Sequence, residues 1–227
     1  MEALWKGGAG RVQQLVDEAL RYLGVRGPAD AALRAQLDAL ADEFPSRITP
    51  HHTWRAFPLS HSAKGMLMGS IPLSGHSAGT MLAECKSCAV MVCTLGTAFD
   101  AWLRRLQARD MAQAVMLDAL GSAFVEAVCD SVEREISAKF PKHYLTDRFS
   151  PGYGDLPLAL QPQLLSAVEA QRIGVTSTDT LLLLPQKSVT ALVGIAETPQ
   201  AARIRGCKYC TMNQTCNLRK AGMTCDL

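Results

Sequence analysis

The stretch RFSPGYGDLPL, from Arg148 to Leu158, gathers the residue types that a small-molecule site needs. Arg148 can grip a carboxylate with two parallel N–H donors, a geometry that lysine does not reproduce. Gly152 and Gly154 leave room for backbone N–H and C=O groups to approach a ligand. Tyr153 adds a flat face and a hydroxyl. A ligand carrying both a carboxylate and an aromatic base would suit such a loop. The same residues also build an ordinary turn with an exposed arginine. Residue types alone favour that plainer reading, because Pro/Gly loops are common and ligand loops few.

A second constellation lies in the last part of the chain, where Cys207-x2-Cys210-x5-Cys216-x8-Cys225 has metal-ligand spacing. Thiolates in this pattern can close a tetrahedral zinc site or hold an iron–sulfur cluster, and spacing does not choose between the two. Lys208, Arg219 and Lys220 would help to keep the thiolates ionised. A reduced tail without metal fits the same spacing equally well. Cys85, Cys88 and Cys93 fall among apolar residues at an expected helix–strand junction, and Cys129 falls in a long helical run. There cysteine acts as a small hydrophobe, and core packing is the expectation. The five histidines are scattered, and none is selected as a ligand.

The elements that must position these residues are readable from pattern. With 227 residues, 48% hydrophobic and 19% charged, the chain is long and apolar enough to bury a sizeable core. A net charge of +2 gives no field to attract nucleic acid or an anionic membrane. The run of leucines at 181–184 is too short to span a bilayer, and MEALWKGGAG lacks the halves of a signal peptide. The expected location is the cytoplasm, where eight cysteines read as thiols or ligands rather than a disulfide framework.

Val12, Leu15, Val16, Ala19, Leu20 and Leu23 form one helical stripe closed by Gly24, and a second helix is expected over Asp30–Glu43. Short strands are expected between Thr49 and Ser74, then a helix start at GHSAGT and a buried strand at AVMVCTLG. Helices follow over Phe99–Leu106 and Met111–Phe140, the second about 45 Å long if unbroken. After RFSPGYGDLPL come a short helix (PQLLSAVEAQRIG), a strand (TDTLLLL) and an alternating strand (KSVTALVGIAE). Helices first, then strands mixed with helices without strict alternation, predict an α+β fold. No GxGxxG opens a βαβ unit, so a dinucleotide-binding reading has no support.

The spacing Arg148-x3-Gly152-Tyr153, followed by Pro157, resembles the S-adenosylmethionine signature of the reactivation (activation) domain of cobalamin-dependent methionine synthase. Other segments agree in order. HTWRAFPL resembles an early strand of stand-alone activation-domain-like proteins. CAVMVCTLG and the run to VEREI resemble their central strand and helices, and LPQKSVTALVGI resembles the strand that follows the signature. The match covers roughly residues 45–196.

The resemblance implies an activation-domain-like α+β fold, an antiparallel sheet with packed helices and a long central helix. It also implies a protein that binds S-adenosylmethionine and supports the reductive remethylation of cob(II)alamin held by a separate protein. In that family one electron from a flavodoxin- or ferredoxin-type donor gives cob(I)alamin, which takes the methyl group. The cofactors carry the chemistry, and the protein supplies binding and orientation, which accounts for the lack of a catalytic triad. By the same resemblance Arg148 pairs with the ligand's carboxylate, and Gly152 and Tyr153 line the adenosine and the methyl-transfer face. Ser150 and Pro151 give backbone contacts, and Glu126 holds the ammonium group.

Two departures limit the carry-over. The family signature continues Gly-Tyr-Pro-Ala-Cys-Pro, whereas Gly154-Asp155-Leu156-Pro157 follows Tyr153 here. No Asp-x-His-x-x-Gly cobalt-ligand motif occurs, so the corrinoid is expected on a partner, methionine synthase or another corrinoid protein, docking in trans. The expected organisation is an N-terminal helical segment (1–44), the S-adenosylmethionine-binding core (45–200) and a Cys-rich tail (201–227). The competing reading is an accessory or scaffold protein that keeps the fold without the ligand and binds zinc or an Fe–S cluster through its tail.

Overall fold

Apolar residues three and four apart wind the first segment into α1 (Ala9–Tyr22) and α2 (Ala31–Arg47). The computed structural model describes residues 9–62, 65–200 and 214–220. Leu15, Val16, Ala19 and Leu20 are buried on α1, and Gly24, at φ +75°, turns the chain away after it. Asp30 caps α2, its carboxylate accepting from the Ala32 and Leu33 N–H groups at 2.9 and 3.1 Å. The helix runs past Glu43 because Phe44, wholly buried, holds its last turn in the core; Pro45 sits inside that turn.

Strands β1 (His51–Ser62), β2 (Gly65–Met68) and β3 (Ile71–Leu73) follow, then α3 (His76–Leu82) and β4 (Cys85–Thr94). Helices α4 (Thr97–Gln107) and α5 (Met111–Lys139) lead to the short β5 (Tyr144–Leu145). After the Arg148–Leu158 loop come α6 (Gln161–Ala167), β6 (Thr176–Ser177), β7 (Leu183–Leu184) and β8 (Ser188–Ala196), and near the end a helical turn, α7 (Asn217–Lys220). Six strands form a sheet in the order β3-β2-β1-β4-β8-β5, and β6 and β7 form a separate two-stranded ladder. The β1–β2, β2–β3 and β5–β8 pairs are antiparallel, with Leu59 opposite Met68, Met66 opposite Leu73 and Tyr144 opposite Ala196. An antiparallel sheet with helices and one long helix is the α+β architecture expected.

Helix α5 is long and apolar enough to cross a membrane by length and composition, and 67% of its most apolar window is buried inside the protein. It is a core helix. β4 is buried from Cys88 to Thr94, as an unbroken apolar run requires when both faces are covered. β8 departs from the expected alternation: Thr190 to Ala196 are all buried. Its small residues, Ala191, Gly194 and Ala196, suit close cover of both faces.

The TDTLLLL segment is not one strand. Leu183 and Leu184 alone of it pair, with Ser177 and Thr176, while Leu181 turns at φ +66°. Thr178 organises that turn: its hydroxyl accepts from Leu182 N–H at 3.1 Å, and its carbonyl from Leu181 N–H at 2.9 Å. A threonine that bonds the backbone locally competes with strand pairing.

The chain divides into two compact units. The first comprises residues 1–53, 92–134 and 169–189 and centres on aromatic side chains. Phe44 stacks on Phe124 at 3.9 Å between ring centroids and meets Trp102 edge-on at 5.3 Å, with Phe99 at 6.0 Å. Gly121 is what lets Phe99 approach α5, since a Cβ there would lie 2.3 Å from its ring tip. The second unit comprises residues 54–91, 135–168 and 190–227 and contains the RFSPGYGDLPL loop. Among its glycines the closest approach is at Gly194 of β8, where a Cβ would meet Cys85 Sγ at 2.6 Å and Leu82 at 2.7 Å.

Candidate functional site

The loop is built from β8 outward. β5 pairs Leu145 with Ile195, and the Thr146 N–H reaches the Gly194 carbonyl at 3.0 Å. The next exchange is Phe149 with Leu192, N–H to O at 3.0 and 2.8 Å. Between these pairs the loop strand has two residues, Asp147 and Arg148, where β8 has one, Val193. That extra residue is a β-bulge, a device that bends a strand end and re-aims a side chain. Phe149 is 2% exposed, and Arg148 beside it is half-buried.

After the bulge the chain folds back on itself. Tyr153 N–H donates to the Ser150 carbonyl at 3.0 Å, Leu156 N–H to Tyr153 at 3.1 Å, and Gly152 N–H to Leu156 at 2.8 Å. Gly152 and Gly154 take φ of +84° and +58°, a region that favours glycine. Pro151 and Leu156 point into the protein, and Tyr153, 51% exposed, points out. The Gly152 and Tyr153 N–H groups are therefore used within the loop. The Ser150, Tyr153 and Leu156 carbonyls accept these bonds, and the Tyr153 ring stands exposed beside them.

Asp155, which the sequence marks as a departure, is the loop's anchor. Its carboxylate accepts from the backbone N–H groups of His76 at 2.5 Å and Ser77 at 2.9 Å, at the start of α3. Gly75, the residue before that helix, has no side chain to cap it, and Asp155, 79 residues on from His76, supplies the missing acceptor. The two segments interlock. A Cβ on Gly75 would lie 2.7 Å from the Asp155 carbonyl oxygen, and one on Gly154 would lie 2.8 Å from Ser77 Oγ. The Ser77 N–H, then its hydroxyl, then the His76 N–H hold the Asp155 carboxyl at about 2. One hint of this is in the residues: a helix start at GHSAGT without Ser, Thr, Asp or Asn at its cap lacks an acceptor of its own.

No family model and no curated protein matches the sequence. The fold does have a solved counterpart. The MetH reactivation domain, crystallised with AdoHcy bound, superposes with a TM-score of 0.69 at 13% identity. The match covers 94% of this chain and 83% of that one. The chain has the reactivation-domain fold.

Within this reactivation-domain fold, Arg148, Ser150, Pro151, Gly152 and Tyr153 lie together on the bulged loop of the second unit. Glu126 lies on α5 in the first unit, half-buried among apolar neighbours. It shares its surroundings with Glu18. Burial first, then the charges of Glu18 and Glu126, push the Tyr22 hydroxyl up to about 12.

Of the Cys tail, Cys207, Cys210 and Cys225 lie outside the described residues, and Cys216 is a half-buried free thiol. Among the described residues no group of three or more His, Cys, Asp or Glu side chains is placed to hold a metal. Cys85, Cys88, Cys93 and Cys129 are buried thiols. Cys85 and Cys88 both belong to β4, which starts earlier than the AVMVC run suggests. Burial pushes the Cys85 thiol up to about 11 and the Cys88 thiol further, so both are core residues held in the neutral form. A cleft of roughly 280 Å³ in the first unit is lined by Arg47, His51, Gly96, Thr97 and Pro185 among others. It contains none of the residues assigned from the sequence.

Proposed function

We propose that this chain binds S-adenosylmethionine on the Arg148–Leu158 loop and presents its methyl group to a corrinoid carried by a separate protein. The observation that carries this reading is the bulged, doubly anchored loop with Arg148, Gly152 and Tyr153 in signature order. It occurs in a chain with the fold of a domain solved with AdoHcy bound. The residues fit such a ligand. The bulge re-aims a guanidinium able to take a carboxylate bidentately. Tyr153 presents a half-exposed ring for an adenine or for the methyl-bearing sulfur, and carbonyls of the turn can accept from ribose hydroxyls or an amine.

When bound, S-adenosylmethionine supplies an activated methyl group on a positively charged sulfur. The protein then has to bind, orient and cover it rather than move protons. The corrinoid partner is a cobalamin protein such as a methionine synthase, served by an electron donor of flavodoxin or ferredoxin type, in the cytoplasm. Its docking on this chain is transient, in the size range of small polar interfaces.

Calorimetric titration with S-adenosylmethionine tests the reading. Saturable binding is expected, with Arg148→Ala weakening it by about tenfold or more and Arg148→Lys failing to restore it. A folded parent protein that gives no heat at millimolar ligand defeats the proposal.

A further inference from the structure

We propose that Asp155 is a positioning residue for the site: by fastening the loop to the start of α3 it sets where Arg148 and Tyr153 meet the ligand. The inference rests on the reading of that loop as the S-adenosylmethionine site. It starts from an asymmetry in how the loop is tied. At its entry the loop is fixed by the Phe149–Leu192 exchange with β8. At its exit Asp155 reaches two backbone N–H groups of α3, at 2.5 and 2.9 Å, and Leu156 is buried beside it. Tyr153 stands between the two ties with half its surface exposed. Removing the exit tie leaves the buried Leu156 side chain as the hold at that end, and the Tyr153 ring and the carbonyls beside it lose their fixed direction.

Two features make the tie specific. Asp155 serves as the side-chain acceptor that Gly75 does not provide, so both partners lose hydrogen bonds when it is removed. The glycines on each side leave no room for a side chain. The position a Cβ would take on Gly75 is 2.7 Å from the Asp155 backbone, and that on Gly154 is 2.8 Å from Ser77 Oγ. A carboxylate that merely decorated a surface loop would need neither glycine. The tie also joins Gly75, His76 and Ser77 to the loop.

The test uses the full chain and two variants that break the same contact from opposite sides, Asp155→Ala and Gly75→Ala. Amide hydrogen exchange reads the Gly152, Tyr153 and Leu156 N–H groups, and calorimetry reads S-adenosylmethionine affinity. Both variants are expected to keep the parent's circular dichroism, to exchange those amides at least tenfold faster, and to bind about tenfold more weakly. The double variant is expected to be no worse than either single one. Asp155→Asn, which keeps one acceptor oxygen, is expected to fall between parent and Asp155→Ala. Unchanged exchange in Asp155→Ala overturns the tie. Faster exchange with affinity within twofold of the parent overturns its positioning role. A parent that does not bind S-adenosylmethionine defeats the functional reading instead, and exchange alone then decides whether Asp155 fixes the loop.

Discussion

The Arg148–Leu158 loop of the second unit and the Thr176–Lys187 hairpin of the first are both irregular, and they differ in how their tips are held. The loop is rich in Gly, Pro and charge, yet it sinks Phe149, Pro151 and Leu156 into the protein and ties both of its ends to other elements. The hairpin carries the most apolar run in the chain, yet it leaves Leu182 65% and Leu184 44% exposed. The hydrogen bonds of its tip are its own, through Thr178 and the short β6–β7 ladder. Its exit is tied to α4 and α5 by the Gln186 N–H on the Asp100 carboxylate and by Lys187 on Ser122 and Asp118. Anchoring therefore follows the long-range partners of a segment, not its hydropathy. A loop fixed from outside can hold a side chain in one direction, as a binding site needs.

That contrast can be broken by substitution. The largest effect is expected at Leu156, 1% exposed in the polar loop, where Leu156→Ala should lower unfolding stability by about 2–5 kcal/mol in denaturant melts. Next come two residues with the same left-handed backbone. Gly154→Ala forces a Cβ into φ +58° and against Ser77, and a loss of at least about 1–2 kcal/mol is expected. Leu181→Gly relieves φ +66° in the hairpin and should leave stability unchanged or raise it by up to about 1 kcal/mol. The smallest effect is expected at Leu182, where Leu182→Ala should stay within about 0.5 kcal/mol of the parent despite removing a leucine.

Acid should separate the regions as well. The folded Asp155 carboxyl sits at about 2, below its usual value of 3.8, so its contribution is fully present above the usual value and is lost as pH falls toward 2. Amide exchange of Gly152 and Tyr153, corrected for its intrinsic pH dependence, should lose protection over that window in the parent. In Asp155→Ala the protection should already be low and should not change there. The Leu182 amide, held by the neutral Thr178 hydroxyl, should show no such step.

Much of this architecture is legible in the residues because local pattern and burial agree. The stripe of Leu15, Val16, Ala19 and Leu20 gives α1, the unbroken AVMVC run gives a strand covered on both faces, and the apolar periodicity after Met111 gives α5. The loop's position and its Arg-x3-Gly-Tyr order are legible too. What is not legible depends on partners far away in sequence. The Asp155 contact with Ser77 spans 78 residues, and nothing near Asp155 points to it. The bulge at Asp147–Arg148 exists only in register with Val193. The leucine run reads as a strand because β-propensity ignores a neighbouring threonine that bonds the backbone. Gly154-Asp155, which the family signature lacks, is thus the means by which the loop is held.

The most direct test of the proposed site is hydrogen exchange of the parent protein with and without S-adenosylmethionine, followed across the Arg148–Leu158 loop and the Thr176–Lys187 hairpin. Slower exchange of the loop amides at saturating ligand, with the hairpin unchanged, is the result predicted. Protection confined to the hairpin, or none in either segment, would contradict it.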